Sequence, residues 1–256
     1  MEHGDFTALA EKYAQYRPGY SPFVLDAFLG LAAHTQNEPK ICADAGAGTG
    51  IWSRQLAARG VKVTAVEPND AMREAGQAQN GTLAITWVKG SAEETTLPSA
   101  SFDMACMASS FHWPDFDKAV REFHRILKPG GLFMALWNTR YFESNPLLVE
   151  IEDYLHKLVP NMKRVSSGRS AFCDTLTDSL RQRSEFSDVL YMEGRHVERQ
   201  TPEHYIGLWE SVNDVRVQAG EERFAQFLDH IRQVTRGIEF IEAEYLTRAW
   251  IVRRKG

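Results

Sequence analysis

The sequence predicts an α/β fold in which a mostly parallel sheet is flanked by helices, with a helical insertion after the fifth strand. Three observations carry this reading. Over roughly the first 140 residues, short apolar runs alternate with amphipathic stretches, the pattern of a parallel sheet covered by helices. The segment Ile41-Cys42-Ala43-Asp44-Ala45-Gly46-Ala47-Gly48-Thr49-Gly50 passes from an apolar run through closely spaced glycines into a helical stretch. After Asn138 the rhythm changes to longer helical segments.

In chain order, Phe6, Leu9, Tyr13 and Tyr16 recur at helical spacing after an Asp5 cap, and the helix stops at Arg17 because Pro18 follows. Ser21-Pro22 supplies an N-cap and a first-turn proline for a second helix through Val24, Leu25, Phe28 and Leu29. Lys40–Ala45 is the first strand, followed by the glycine turn and a helix ending near Gly60. Val61–Val66 is the second strand, and Asn69 or Asp70 caps the next helix. Ile85–Lys89 and Phe102–Met107 read as strands three and four. Asp115 caps a helix carrying Ala119, Val120, Phe123, Ile126 and Leu127. Lys128-Pro129-Gly130-Gly131 ends it and turns into strand five, Leu132–Trp137.

Asn145-Pro146 then opens a helix through Leu148, Ile151 and Leu155, followed by a polar stretch at 160–169 and a short helix near Leu176–Leu180. Val189–Val197 is a sixth strand. Thr201-Pro202 starts a helix with Tyr205, Leu208 and Trp209, and Phe224, Leu228 and Ile231 mark one more. Ile238–Val252 fits a final edge or antiparallel strand. The reading is one domain over 1–256, with a helical cover at 1–35 and helical substrate-cap insertions within about 142–237.

Composition narrows the function. The chain has 256 residues with 43% hydrophobic and 25% charged side chains, an ordinary soluble globular balance. Lys and Arg number 29 against 34 Asp and Glu, a net charge of −5, so the basic field that drives nucleic-acid binding is missing. Met1-Glu2-His3-Gly4-Asp5 has neither the basic nor the apolar region of a signal peptide, and no run approaches the ~18 apolar residues of a membrane span. Cys42, Cys106 and Cys173 lack metal-type spacing and read as reduced, structural residues of a cytoplasmic protein, with no metal expected.

The glycine turn lets a ligand approach the backbone where a Cβ would block it. Glu67 closes the second strand 23 residues beyond Asp44, placed to accept hydrogen bonds from ribose hydroxyls. The dinucleotide fingerprint needs a third small residue, but counting from Gly46 or Gly48 that position holds Ile51 or Ser53. No Gly-Lys-Ser/Thr follows, so the Walker pattern fails as well. What remains is D-x-G-x-G-x-G, whose acid suits a ligand with positive charge and little phosphate.

On these residues the chain resembles the class I S-adenosylmethionine-dependent methyltransferases of the small-molecule type. Asp44 to Gly50 is similar to the family's cofactor turn, and Ala65-Val66-Glu67-Pro68-Asn69 to its ribose-acid segment, with Met72 as the apolar residue near the adenine. Gly90-Ser91-Ala92-Glu93-Glu94, Leu97-Pro98 and Ser101-Phe102-Asp103 resemble the adenine-edge loop and the entry to strand four. Leu127 to Gly131 resembles the turn before strand five. A narrower resemblance, carried by Tyr13-Ala14-Gln15-Tyr16-Arg17-Pro18-Gly19-Tyr20 and Phe111-His112-Trp113, is to the trans-aconitate methyltransferase subgroup. The chain departs from that subgroup at Ser21, which displaces the usual proline to Pro22, and at Pro114, where phenylalanine is common.

The resemblance implies a Rossmann-like, seven-stranded fold, S-adenosyl-L-methionine as cofactor, a small-molecule acceptor and in-line methyl transfer. It implies that Gly46, Ala47, Gly48 and Gly50 meet the methionine and ribose portions, with Asp44 near the ammonium and Glu67-Pro68 at the ribose. Ser91 and Ala92 address the adenine, and Ala108 and Ser109 line the methionine tail. Tyr13 covers the cofactor, and Arg17 grips a carboxylate of cofactor or substrate with two hydrogen bonds. His112, just beyond strand four, is a candidate catalytic base or positioning residue. Trp113, Trp137, Asn138, Arg140 and Tyr141 are expected to wall the acceptor pocket. A nucleic-acid methyltransferase is disfavoured, since Ala108-Ser109-Ser110-Phe111 stands where amino-methylating members carry Asn/Asp-Pro-Pro-aromatic. Two other readings remain: a non-catalytic S-adenosylmethionine-binding regulatory protein, and a nicotinamide-dependent oxidoreductase.

Overall fold

The computed structural model describes residues 9–32, 40–163 and 170–256. The expected Asp5 cap and Phe6 lie outside them, as does most of the polar stretch at 160–169. Seven strands form one sheet in the order β3-β2-β1-β4-β5-β7-β6. They are β1 (Ile41–Ala45), β2 (Lys62–Val66), β3 (Ile85–Val88), β4 (Phe102–Ala108), β5 (Leu127–Arg140), β6 (Phe186–Gln200) and β7 (Ile241–Arg254). The first five pair in parallel, while β7 runs antiparallel between β5 and β6. This is the mostly parallel sheet that the apolar runs predict, with the seven strands and Rossmann-like arrangement that the resemblance implies.

The helices follow from local chemistry. They are α1 (Ala10–Tyr16), α2 (Pro22–Ala32), α3 (Ile51–Ala57), α4 (Asp70–Ala78), α5 (Phe116–Ile126), α6 (Pro146–Leu158), α7 (Ala171–Arg181), α8 (Pro202–Glu210) and α9 (Asn213–Val234). Four predicted caps are made by side-chain oxygens: Asn69 accepts from Met72 N, Asp115 from Lys118 N, Asn145 from Leu147 N and Thr201 from His204 N. Each such cap contributes about 1 kcal/mol. Ser21 does not cap with its side chain. Its carbonyl accepts from Leu25 N, its N–H donates to Thr247 Oγ1, and its hydroxyl is buried without a partner.

Strand alternation divides the core. Ala105 and Met107 of β4 face a cluster with Phe123 of α5 and Leu176 of α7, whereas Met104 and Cys106 face Phe28 of α2 and Trp52 of α3. Helices α6, α8 and α9 close a third cluster around Leu155, Trp209 and Phe227 with the start of β7.

Three boundaries differ from expectation. Strand β5 begins at Leu127 rather than Leu132, so Lys128-Pro129-Gly130-Gly131 is an irregularity inside the strand. Gly130 adopts φ +77°, and a Cβ on Gly131 would lie 2.9 Å from the Lys128 carbonyl, so the chain can loop there and resume pairing. Strand β7 is interior, not an edge, and starts at Ile241; the edge is β6. Helix α9 reaches back to Asn213, across a non-helical Gly220 at φ 74°.

Candidate active site

A cleft of about 550 Å³ opens at the carboxyl ends of β1, β2 and β4, the end at which open α/β sheets bind ligands. Its floor is the glycine turn. Gly46 and Gly48 take φ values of +60° and +56°, the left-handed region that glycine enters without steric cost. A Cβ on Gly46 would stand 2.8 Å from Ser110 Oγ, so glycine is required there for space as well as conformation. Gly50, at φ 74°, starts α3 and packs against Trp87 outside the cleft.

Glu67 forms one wall and is 7% exposed. Its Oε2 accepts from Gly48 N at 2.8 Å and its Oε1 from Asn69 N at 2.9 Å. Burial raises its pKa above the usual carboxylate range, against the opposing pull of those two N–H groups and Arg73. Two more of the turn's amides are engaged: Ala47 N donates to the Val66 carbonyl and Gly50 N to the Ala47 carbonyl. A pyrophosphate needs free N–H groups at this position, and three of those here are already donated, one of them to a carboxylate.

The sequence-predicted residues Tyr13, Arg17, Ala47, Pro68, Met72, Ser91 and Ala92 line the same cleft, as do Ala108, Ser109, Trp113 and Asn138. Arg17 lies over the Tyr13 ring at 4.8 Å and donates to the Ser211 carbonyl, with its Nε buried and unpartnered. Ser91 closes a local turn with Glu94, its N–H donating to the Glu94 carbonyl and its Oγ accepting from Glu94 N. Ser109 holds φ 55° and accepts from the Tyr20 hydroxyl at 3.0 Å. Asn138 donates to the Gly19 carbonyl and accepts from Thr247, which fixes its amide at the wall.

Six expected site residues do not line the cleft; one of them, Arg140, pairs instead with Glu152 and donates to the Tyr205 hydroxyl. Asp44 is fully buried behind the turn, where its Oδ2 accepts from Ser53 Oγ at 2.5 Å and its Oδ1 has no partner. Burial pushes its pKa up to about 7 despite the Ser53 hydrogen bond. Gly50 is the helix start described above. Trp137 neighbours Asn138 on β5, so its side chain takes the opposite face and packs in the core at 1% exposure. Tyr141 lies past the end of β5 beneath the Arg195 guanidinium. His112 sits between Trp113 and Trp137, and its Nδ1 accepts from Trp137 Nε1 at 3.3 Å. Burial lowers its pKa to about 4, so the imidazole is neutral near pH 7, with Nε2 buried and unpartnered.

The cleft also contains residues that the sequence did not single out as site residues. Tyr20 and Trp52 pack edge to face at 5.5 Å, and Ser110 and Glu93 contribute further polar groups. The Tyr13–Tyr20 segment already carried the signal for Tyr20. Asn213 and Asp214 reach the cleft from the start of α9. No local pattern marks them, because only the folding of the helical segment back over the sheet brings them there. Among the described residues, no group of three or more His, Cys, Asp or Glu gathers to hold a metal.

A mostly parallel sheet with a glycine-floored cleft at its carboxyl end and a carboxylate at the second strand end defines an α/β protein with the cleft where open sheets of this class bind ligands. Residues 43–135 match the family described as methyltransferase domain. The chain is similar to an uncharacterized methyltransferase of Mycobacterium tuberculosis, 36% identical over 136 residues, which are 53% of this chain and 52% of that protein. It is also similar to a ubiquinone/menaquinone biosynthesis C-methyltransferase of Rubrivivax gelatinosus, 39% identical over 94 residues, 36% of this chain and 37% of that protein. The chain thus spans about half the length, or less, of these curated relatives. A protein assigned as a type II methyltransferase from Anaeromyxobacter dehalogenans shares the fold at TM-score 0.65 and 23% identity, over 94% of this chain and 98% of that one. The matched segment, these relatives and the protein that shares the fold all carry the description methyltransferase. No helix among the described residues is long and apolar enough to cross a membrane.

Proposed function

We propose that this protein transfers the methyl group of S-adenosylmethionine to a small-molecule acceptor. The observation that carries the reading is the Glu67–Gly48 hydrogen bond in a glycine-floored cleft, where three of the turn's amides are already donated and an acidic side chain stands beside them. That environment opposes a pyrophosphate and favours a cationic nucleoside. The residues present fit such a group: Cβ-free Gly46 and Gly48 leave space at the floor, Glu67 offers acceptors to ribose hydroxyls, and Met72 and Ala92 offer apolar surface to a base.

When bound, the cofactor supplies a methyl group already activated on a sulfonium. The chain's own work is then to orient the acceptor and exclude water, which is worth on the order of 7–11 kcal/mol. In this reading Arg17 binds a carboxylate, its Nε being without a partner. Tyr20 holds Ser109 at the end of β4. Trp113, 47% exposed, and Asn138 border the space left for the acceptor, beneath the helices α6, α8 and α9. His112 acts as a positioning residue: with Nδ1 accepting from Trp137, the neutral ring carries its hydrogen on Nε2 and offers no free basic nitrogen. The acidic balance of the chain supports a small molecule over a nucleic acid as acceptor.

The test is turnover. Incubation with methyl-labelled S-adenosylmethionine and a metabolite extract, followed by mass spectrometry, should give S-adenosylhomocysteine together with a labelled small molecule. Cofactor binding without label transfer, across extracts from several sources, would leave a binding protein and refute the catalytic reading.

A further inference from the structure

We infer that this protein forms a two-fold symmetric dimer in which strand β6 pairs antiparallel with β6 of a second copy about Gly194. The inference is independent of the methyl-transfer reading. Among the described residues, β6 pairs only with β7, so a fifteen-residue strand presents one row of backbone N–H and C=O groups with no strand beside it. Such an edge is a template for another strand unless side chains oppose pairing. A bulge between Ser187 and Leu190, with Asp188 at φ 54°, bends the start of the strand and leaves 190–200 as its regular portion.

The sequence of that portion is complementary to itself. Antiparallel pairing about Gly194 sets Glu193 opposite Arg195 of the second copy, and by symmetry Arg195 opposite Glu193. Two residues further out, next on the same face, it sets Tyr191 opposite Val197, an aromatic and a β-branched residue that are 40% and 59% exposed. Opposite charges and aromatic–β-branched pairs are the cross-strand neighbours that stabilise a sheet. Centring the pair on Glu193 or Arg195 would instead set like charges against each other, which disfavours those two registers. Both groups keep atoms for a second partner: Glu193 accepts from the Tyr191 hydroxyl through Oε2, and Arg195, over the Tyr141 ring, pairs with Glu244 through Nη1. On the other face, the Phe23 ring lies 3.0 Å from where a Gly194 Cβ would be and is 63% exposed, so the two copies' rings meet at the axis. An isologous contact of this kind closes at two copies.

Sedimentation velocity over a wide range of protein concentration tests this. The full chain is expected to dimerise, with E193R or R195E alone weakening the dimer roughly tenfold or more, because each places like charges at two symmetric positions. The double swap E193R/R195E restores opposite charges and should recover the dimer, which a merely structural defect would not do. As a second readout, Y191C/V197C should oxidise to a covalent dimer, since the native cysteines are buried. A monomer at every concentration overturns the proposal, as does a dimer indifferent to the charge changes or a double swap weaker than either single one.

Discussion

Glu67 and Gly48 are joined by a 2.8 Å hydrogen bond, donated by the glycine N–H to the carboxylate, that ties the end of β2 to the turn after β1. The same carboxylate accepts from Asn69 N at the start of α4, so one side chain holds three elements around the cleft. Its position explains why a charge is kept at 7% exposure: two N–H donors and Arg73 offset part of the cost of burying it.

Glu67→Ala should therefore damage both the turn and ligand binding. Hydrogen bonds to a charged group contribute about 1.5–3 kcal/mol, so the Kd for S-adenosylhomocysteine is expected to rise by about tenfold to a hundredfold. Glu67→Gln, which keeps an acceptor, should lose less. Isothermal titration of the two variants checks this, and equal affinity in Glu67→Ala and the parent would remove Glu67 from the site.

Gly46→Ala tests the floor. The left-handed φ costs a non-glycine residue roughly 1–2 kcal/mol, and the new methyl would sit 2.8 Å from Ser110 Oγ and 3.2 Å from Met107 Cε. Lower thermal stability and weaker S-adenosylhomocysteine binding are expected. Adding Ser110→Ala should recover part of the loss by removing the hydroxyl contact, but not the part that belongs to φ.

Asp44 predicts a pH dependence of stability. Its folded-state pKa, about 7, lies above its ordinary value of 3.8. Below the ordinary value both states hold the proton, and the group contributes nothing. Between the two values the native state keeps a proton that the unfolded chain releases, so stability falls as pH rises, and above about 7 the loss is complete. The span corresponds to about 4 kcal/mol at most. Asp44→Asn should remove this slope, gaining stability relative to the parent between pH 4 and pH 8 in urea unfolding. Parallel pH profiles would show that burial does not raise the Asp44 pKa.

His112→Ala separates positioning from proton transfer. With its pKa lowered to about 4, His112 is already neutral across pH 6–8 and should impose no limb on kcat/KM in that range. The variant should retain S-adenosylhomocysteine binding and lose turnover through misplacement of Trp113 and Trp137, with an unchanged pH profile. A limb between pH 6 and 8 that vanishes in the variant would instead identify a base.

What the sequence made legible was local. The caps Asn69, Asp115, Asn145 and Thr201 announce their helices because the capping oxygen sits within a few residues of the N–H it serves. The glycine turn and Glu67 were visible for the same reason, each being fixed by its own strand end. Direction across a strand was harder to read: Trp137 and Asn138 are adjacent in sequence, yet alternation sends one to the core and the other to the cleft. Asn213 and Asp214 were hidden because the packing of α9 against α6 and α8, not a motif, brings them to the site. The interior place of β7 was hidden likewise, since an apolar strand does not state which neighbours it will have.

The central claim is that the cleft accepts an adenosyl sulfonium rather than a dinucleotide. Parallel isothermal titrations of the intact protein with S-adenosylhomocysteine and with NAD test it most directly. Saturable one-to-one binding of S-adenosylhomocysteine is expected, with no heat from NAD beyond dilution. Saturable NAD binding with none from S-adenosylhomocysteine would contradict it.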